Sequence, residues 1–314
     1  MNMKSVLNKV FQRGGVYISL ILLLIISGII SPNTVTPMHL LRVLRVASIL
    51  GIMSIGQTLL IISRGIDLSV GAHATLIMVI ISGITLGNPK YTFLVIIICL
   101  LAGLLIGFIN GLLVVKFNIE PLVGSLGVST LITGVYYIYT KGFASGVAPP
   151  FVHYAGTGTV FGFLPVSLII WAALSGIIIY ILKRTIFGRY IYACGANPEA
   201  AFIAGIKVNN VRVLIYMVSG LLTAISGLLL AGFLKSPTLV AGSSYPLDSI
   251  AAVIIGGTTF AGGKGNIGGT VAGSVVIVFL ASFLTIIGLG QAGKFIFQGL
   301  IILVLVFIYT GRKR

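Results

Sequence analysis

Ten apolar stretches run through this chain, and none carries an Asp, Glu, Lys or Arg in its middle. A hydrocarbon core about 30 Å thick takes roughly 20 apolar residues per helical crossing. Backbone crossing it must satisfy its own hydrogen bonds, which leaves helices or closed barrels. The stretches fall at 16–31, 46–63, 68–86, 91–115, 122–139, 164–182, 211–233, 248–262, 270–288 and 294–310. They read as an all-α polytopic membrane protein of about ten transmembrane helices. Only 8% of the 314 residues are charged, against roughly 25% in a soluble domain.

The formal net charge of +16 raises nucleic acid as a partner. The cations lie between apolar segments, however, and no basic run is interleaved with aromatics. No nucleic acid is expected. With the N-terminus inside, Arg42, Arg45, Lys90, Lys141, Lys235 and Lys294 fall outside, and the other fourteen of the 20 Lys and Arg fall inside. That inward excess follows the positive-inside rule and puts both termini in the cytoplasm. Residues 1–15 are then a cytoplasmic lead into an uncleaved first crossing, since no small-x-small cleavage site follows. Residues 1–314 form a single transmembrane domain with two long connections, 140–163 outside and 183–210 inside. Cys99 and Cys194 give neither a disulfide framework nor metal-ligand spacing.

Gly103, Gly107 and Gly111 recur every fourth residue in the fourth stretch, and Gly269 and Gly273 do so in the ninth. Small residues at that spacing let helices approach closely in lipid. A hinge is the alternative. The segments Gly65-Ile66-Asp67-Leu68-Ser69 and Pro246-Leu247-Asp248-Ser249 open the third and eighth stretches, five crossings apart, which suggests an inverted five-plus-five repeat.

Three of the four acids carry information. Asp67 is placed as an N-cap for the third helix, with Gly65 allowing the turn before it. It also reads as a polar break facing a pathway, together with Gly65 and Ser69. Asp248 invites the same two readings and opens a stretch too short for a full crossing. The glycines from Gly256 to Gly265 then mark irregular backbone, tolerated at membrane depth only beside protein or a water-filled cavity. Glu199 belongs to a two-turn helix with Asn197 as cap, Pro198 at the first position, Ala200 and Ala201 within, and Gly205 as stop. Such a short helix needs something to hold it. It is either a linker on the surface or a plug docking into a cytoplasmic partner. Glu120 reads as a solvated loop charge.

Gly263-Lys264 resembles the end of a phosphate-binding loop, but Thr258 occupies the first glycine position and Gly265 the Ser/Thr position. His39, His73 and His153 are scattered, and no nucleophile–base pair or carboxylate pair appears. No catalysis and no cofactor are expected of this chain.

Several ordered stretches resemble one family: Gly65 to Gly71, Gly124-Ser125-Leu126-Gly127, Gly188 to Ala193, Gly195 to Gly205, and Leu247 to Gly257 continuing through Gly262-Gly263-Lys264-Gly265. Together they are similar to the membrane permease of bacterial ABC importers of the ribose-type sugar class, which includes relatives for other simple sugars and for a sugar-like signal. The resemblance implies a multi-pass permease of the inner (cytoplasmic) membrane. It implies a second permease, identical or paralogous, a cytoplasmic ABC ATPase, and a periplasmic or lipid-anchored sugar-binding protein that delivers a sugar substrate. It also implies that the Asn197–Gly205 helix is the ATPase-coupling helix. Ser125 departs from the commoner Thr, and Asn266 follows the glycine loop.

Gln57, Asn110 and Gln298 are polar side chains within crossings, and line the route or bond between helices. The rivals are an ion-coupled secondary transporter or channel for a small neutral solute, a membrane enzyme and a scaffold. The first of these calls for an embedded charge, and the sequence displays none.

Overall fold

The computed structural model describes residues 3–290 together with 292, 293, 296, 299 and 300, with side chains described from residue 15 onward. Twelve helices follow in order: α1 (Met3–Ile30), α2 (Pro37–Ile62), α3 (Val70–Thr85), α4 (Thr92–Val115), α5 (Pro121–Thr140), α6 (Pro150–Thr157), α7 (Val166–Arg184), α8 (Ile186–Ala196), α9 (Pro198–Ile203), α10 (Val208–Leu234), α11 (Tyr245–Ile255) and α12 (Ile267–Ile286). A two-stranded antiparallel hairpin, β1 (Thr159–Val160) and β2 (Leu164–Pro165), sits between α6 and α7.

Among the described residues six helices, α2, α4, α5, α7, α10 and α12, are long and apolar enough to cross a membrane. Shorter apolar helices cover Gly15–Ile30, α3 and α11. Nine of the ten expected stretches therefore overlap an apolar helix, six of them long enough to cross; the tenth, 294–310, lies mostly outside the described residues. The stretch 248–262 is not one helix, as the span boundaries had it. α11 begins at Tyr245 and stops at Ile255, giving 11 residues, or ~16 Å at 1.5 Å per residue, about half a bilayer core. Pro246 sits in its first turn, and the glycines from Gly256 onward end it.

The two long connections hold structure that the hydropathy did not reveal. α6 and β1 lie within 140–163, with β2 just past its end, and α8 precedes α9 within 183–210. At 8 and 11 residues α6 and α8 are far shorter than a crossing, so a search for membrane spans passes over them.

At the centre, every residue of α2 from Ala47 to Ile62 is buried, the mark of a helix surrounded by others. α10 packs on α2, α3 and α4. Packing, not hinging, explains the glycine series. A Cβ at Gly103 would lie 2.6 Å from Ala224 Cβ and 2.8 Å from Gly220 O, and one at Gly111 3.0 Å from Val213 Cα. At Gly107 it would be driven into the carbonyl of Tyr216, and at Gly273 into that of Ala252. α4 thus lies against α10, and α12 against α11, at backbone-to-backbone distance.

The starts of α3 and α11 meet inside the bundle. Gly71 abuts Gly242 and the Pro246 ring, and the Gly242 N–H donates to Thr75 Oγ1 at 3.1 Å. Ile77 and Ala74 of α3 touch Gly227, two-thirds of the way along α10, while Tyr216, nearer its start, bonds the chain just before α3. α3 therefore begins part-way through the bundle, after a non-helical entry at 63–69.

Candidate functional site

The site is built around that entry. α2 ends in a Schellman motif: the Gly65 N–H donates to Leu60 O at 2.7 Å and the Arg64 N–H to Ile61 O at 3.1 Å. The left-handed residue of the turn is Arg64, φ 64°, not Gly65 as the sequence suggested. Gly65 is needed for space, because a Cβ there would lie 2.9 Å from the Tyr216 hydroxyl.

Asp67 is 1% exposed. Its Oδ1 accepts from the Ser69 N–H at 2.7 Å and from the Ser69 hydroxyl at 2.5 Å. Asn110 on α4 donates from Nδ2 to Ser69 Oγ at 2.9 Å and stands 3.5 Å from Asp67 Oδ1. The Tyr216 hydroxyl donates to Ile66 O at 3.2 Å. The buried Asp67 Oδ2 and Asn110 Oδ1 have no hydrogen-bond partner among the described residues. Two sequence expectations change here. Ser69, not Asp67, holds the N-cap position of α3, and the carboxylate closes a local turn on Ser69 instead. The expectation of a bundle without an enclosed acidic side chain fails as well, because tertiary packing covers Asp67.

The structure joins Gly65, Asp67, Ser69 and Asn110 in one cluster. Gln57 lies elsewhere on α2, fully buried, with neither amide atom hydrogen-bonded among the described residues. Asp248 is half-buried in the first turn of α11, three residues after the start and not at the cap, which is Ser244. It balances the positive end of that short helix. Gln298 lies outside the described residues. Sequence reasoning missed Tyr216 and His73. His73 follows Ser69 by one helical turn, is fully buried, and has neither ring nitrogen hydrogen-bonded among the described residues. Beside the cluster a cavity of about 240 Å³ is lined by Ser63, Arg64, Gly65, Asn118, Glu120, Arg212 and Tyr216, among others.

The expected short helix is α9. Asn197 Oδ1 accepts from the Ala200 N–H at 3.1 Å, Pro198 opens the helix and Glu199 lies in its first turn. Gly205, φ 83°, ends it in a second Schellman motif, with Ile206 N–H on Ala201 O at 3.0 Å. Ala201 faces inward, while Phe202 and Ile203 are 72% and 85% exposed. Two adjacent large apolar side chains standing out this far from a six-residue helix were not anticipated.

α9 packs on α8 and α10, and the loop after α11 is tied to the ends of α2 and α8 beside it. The Gly263 N–H donates to Ile62 O at 2.8 Å, and the Tyr192 hydroxyl to Gly265 O at 3.0 Å. Burial raises the Tyr192 hydroxyl above the ordinary phenol range, so it stays a neutral donor. Among the described residues no cluster of His, Cys, Asp and Glu could hold a metal ion.

The model of the family described as branched-chain amino acid transport system / permease component matches residues 39–306. The chain belongs to that family. It is 38% identical over 305 residues to the ribose import permease protein RbsC of Haemophilus influenzae, covering 95% of this chain and 94% of that one. It is 36% identical to RbsC of Bacillus subtilis, covering 95% and 93%. With the galactose/methyl galactoside import permease protein MglC of Escherichia coli K12 it shares 32% identity, covering 96% and 95%. No solved structure gives a significant match. Family and apolar helices together make this an integral membrane protein.

Proposed function

We propose that the chain is the translocating permease of an ATP-driven importer for a sugar of the ribose or galactose kind. The observation that carries this reading is identity of 32–38% to sugar import permeases over nearly the full length. Lys and Arg distribution supports cytoplasmic termini in a bacterial inner membrane. Energy comes from a separate cytoplasmic ABC ATPase, and a sugar-binding protein delivers the solute on the opposite side. A second permease, identical or paralogous, completes the pathway.

In this reading α9 is the docking element for the ATPase, and the exposed Phe202 and Ile203 supply its contact. Asn197, Pro198, Glu199 and Gly205 shape the helix, and Ala200 and Ala201 give it a narrow flank. The pathway passes the break where α3 and α11 start, near Gly65, Asp67, Ser69, Asn110 and Asp248, with Gln57 as a further lining residue. The opposed courses of α3 and α11 fit an inverted repeat. Hydroxyl and amide groups suit an uncharged polyol, which needs hydrogen-bond partners and not counter-ions.

The test is reconstitution. Purified with its ATPase and binding protein in liposomes, the permease accumulates radiolabelled ribose or galactose only when ATP is supplied to the ATPase side. Enclosure of Asp67 favours a second reading, an ion-coupled secondary transporter. Accumulation by the chain alone, driven by a proton or sodium gradient, would establish that second reading and end the first.

A further inference from the structure

We infer that Arg64 is the positioning residue through which movement of α9 reaches the helix break at Gly65–Ser69. The inference rests on the reading of α9 as the ATPase-docking helix and assigns the mechanical link behind it.

Arg64 occupies the left-handed position of the Schellman turn, φ 64°. Glycine is the usual occupant, and a side chain there costs about 1–2 kcal/mol. Its side chain makes two bonds that a glycine could not. Nε donates to Gly195 O at 2.7 Å and Nη2 to Ala196 O at 2.8 Å. These are last-turn carbonyls of α8, which have no partner within their own helix. A cation there also meets the negative end of the helix dipole. Asn197, the cap of α9, is the next residue.

The junction has no slack. A Cβ on Gly195 would collide with Ile62 O and come within 2.6 Å of Gly263 N, and one on Gly262 would come within 2.6 Å of Arg64 Cγ. On the other side, two residues beyond Arg64, the backbone is gripped again. Tyr216 holds Ile66, and Asn110 holds the Ser69–Asp67 pair. A displacement of α9 therefore passes from the end of α8 to the guanidinium, from there to Gly65–Ser69, and on to α4 and the start of α3. Contiguity alone does not establish coupling, so the test must read coupling itself.

Arg64→Gly suits this purpose, because glycine adopts the left-handed turn without strain and the fold is retained. The complete transporter, with ATPase and binding protein, is compared in proteoliposomes using radiolabelled ribose or galactose, whichever the wild type accumulates. The expected result is normal ATPase co-purification with sugar moved per ATP hydrolysed reduced roughly tenfold, within the usual range for a broken coupling. Arg64→Lys, which keeps the charge but loses the two-pronged contact, falls between. Wild-type transport per ATP in Arg64→Gly overturns the inference. So does a variant that yields less complex but transports normally per ATP, since that result belongs to a purely structural clamp. Failure of the wild-type chain to bind any ATPase is read out in the same preparation; it removes the α9 reading first and this inference with it.

Discussion

Asn110 on α4 donates its side-chain amide to Ser69 Oγ at 2.9 Å, and Ser69 in turn donates both its hydroxyl and its backbone N–H to the enclosed Asp67. The bond reaches across 41 residues and fixes a seven-residue non-helical entry against a full-length helix. Removing one donor from a buried polar group costs about 1–3 kcal/mol. Asn110→Ala should therefore lower thermal stability in detergent by an amount in that range, while Asn110→Gln, which keeps the amide, loses less. Equal melting temperatures for Asn110→Ala and wild type would show that the bond does not hold the break.

The glycine contacts give a prediction with a built-in control. Gly107 lies against the backbone of Tyr216 and Met217, whereas Gly127 on α5 has nothing within 4 Å of an added Cβ. Overpacking of a close helix pair costs about 1–3 kcal/mol. Gly107→Ala should destabilise the protein to that extent, and Gly127→Ala should leave it unchanged. Chemical denaturation of the two variants decides the matter. Indistinguishable curves would mean that α4 and α10 can part without penalty.

How much of this was visible beforehand depends on the range of the forces involved. The crossings were legible because a hydrocarbon core imposes one length and one chemistry on every segment. α9 was legible because Asn197, Pro198 and Gly205 act on backbone within a few residues of themselves. Asp67 was legible only as a polar residue at a helix start. Its enclosure depends on Tyr216 and Asn110, which approach from helices far along the chain. Arg64 shows the same limit: its partners are 131 and 132 residues away, and next to Gly65 it looked like an ordinary loop cation. α8 escaped notice because at 11 residues it is too short for a crossing and Gly188 and Arg189 interrupt its apolar run, although Thr185 caps it by accepting from the Gly188 N–H at 3.2 Å.

The tip of α9 carries the third prediction. Phe202 and Ile203 are exposed to solvent in the single chain and make little contribution to its fold. Buried aromatic anchors at the centre of an interface contribute about 2 kcal/mol or more each, which is about thirtyfold in affinity. Phe202→Ser should leave the melting temperature of the isolated permease unaltered and weaken ATPase binding by about that factor, measured by titrating the purified ATPase onto permease in nanodiscs. Ala201→Arg should behave differently, because Ala201 is only 4% exposed and a long cation there disturbs the junction itself. Full ATPase affinity in Phe202→Ser would place the contact elsewhere on this face.

The two cysteines provide a check on the packing that needs no partner and no substrate. Cys99 and Cys194 are both buried, and burial pushes the Cys194 thiol up from its ordinary value. A raised thiol carries less thiolate at neutral pH, and only the thiolate attacks an alkylating reagent. Native protein at pH 7 should therefore resist a water-soluble maleimide. Labelling of Cys194 should rise as the pH approaches the raised value, and both thiols should react once the chain is unfolded. Arg212 lies close enough to Cys194 to favour its thiolate. Arg212→Gln should consequently slow the labelling of Cys194 further at any given pH, with Cys99 unaffected. Rapid labelling of Cys194 in the folded protein at pH 7 would mean that α8 does not pack against the bundle as described, and the clamp between Arg64 and the end of α8 would have to be abandoned with it.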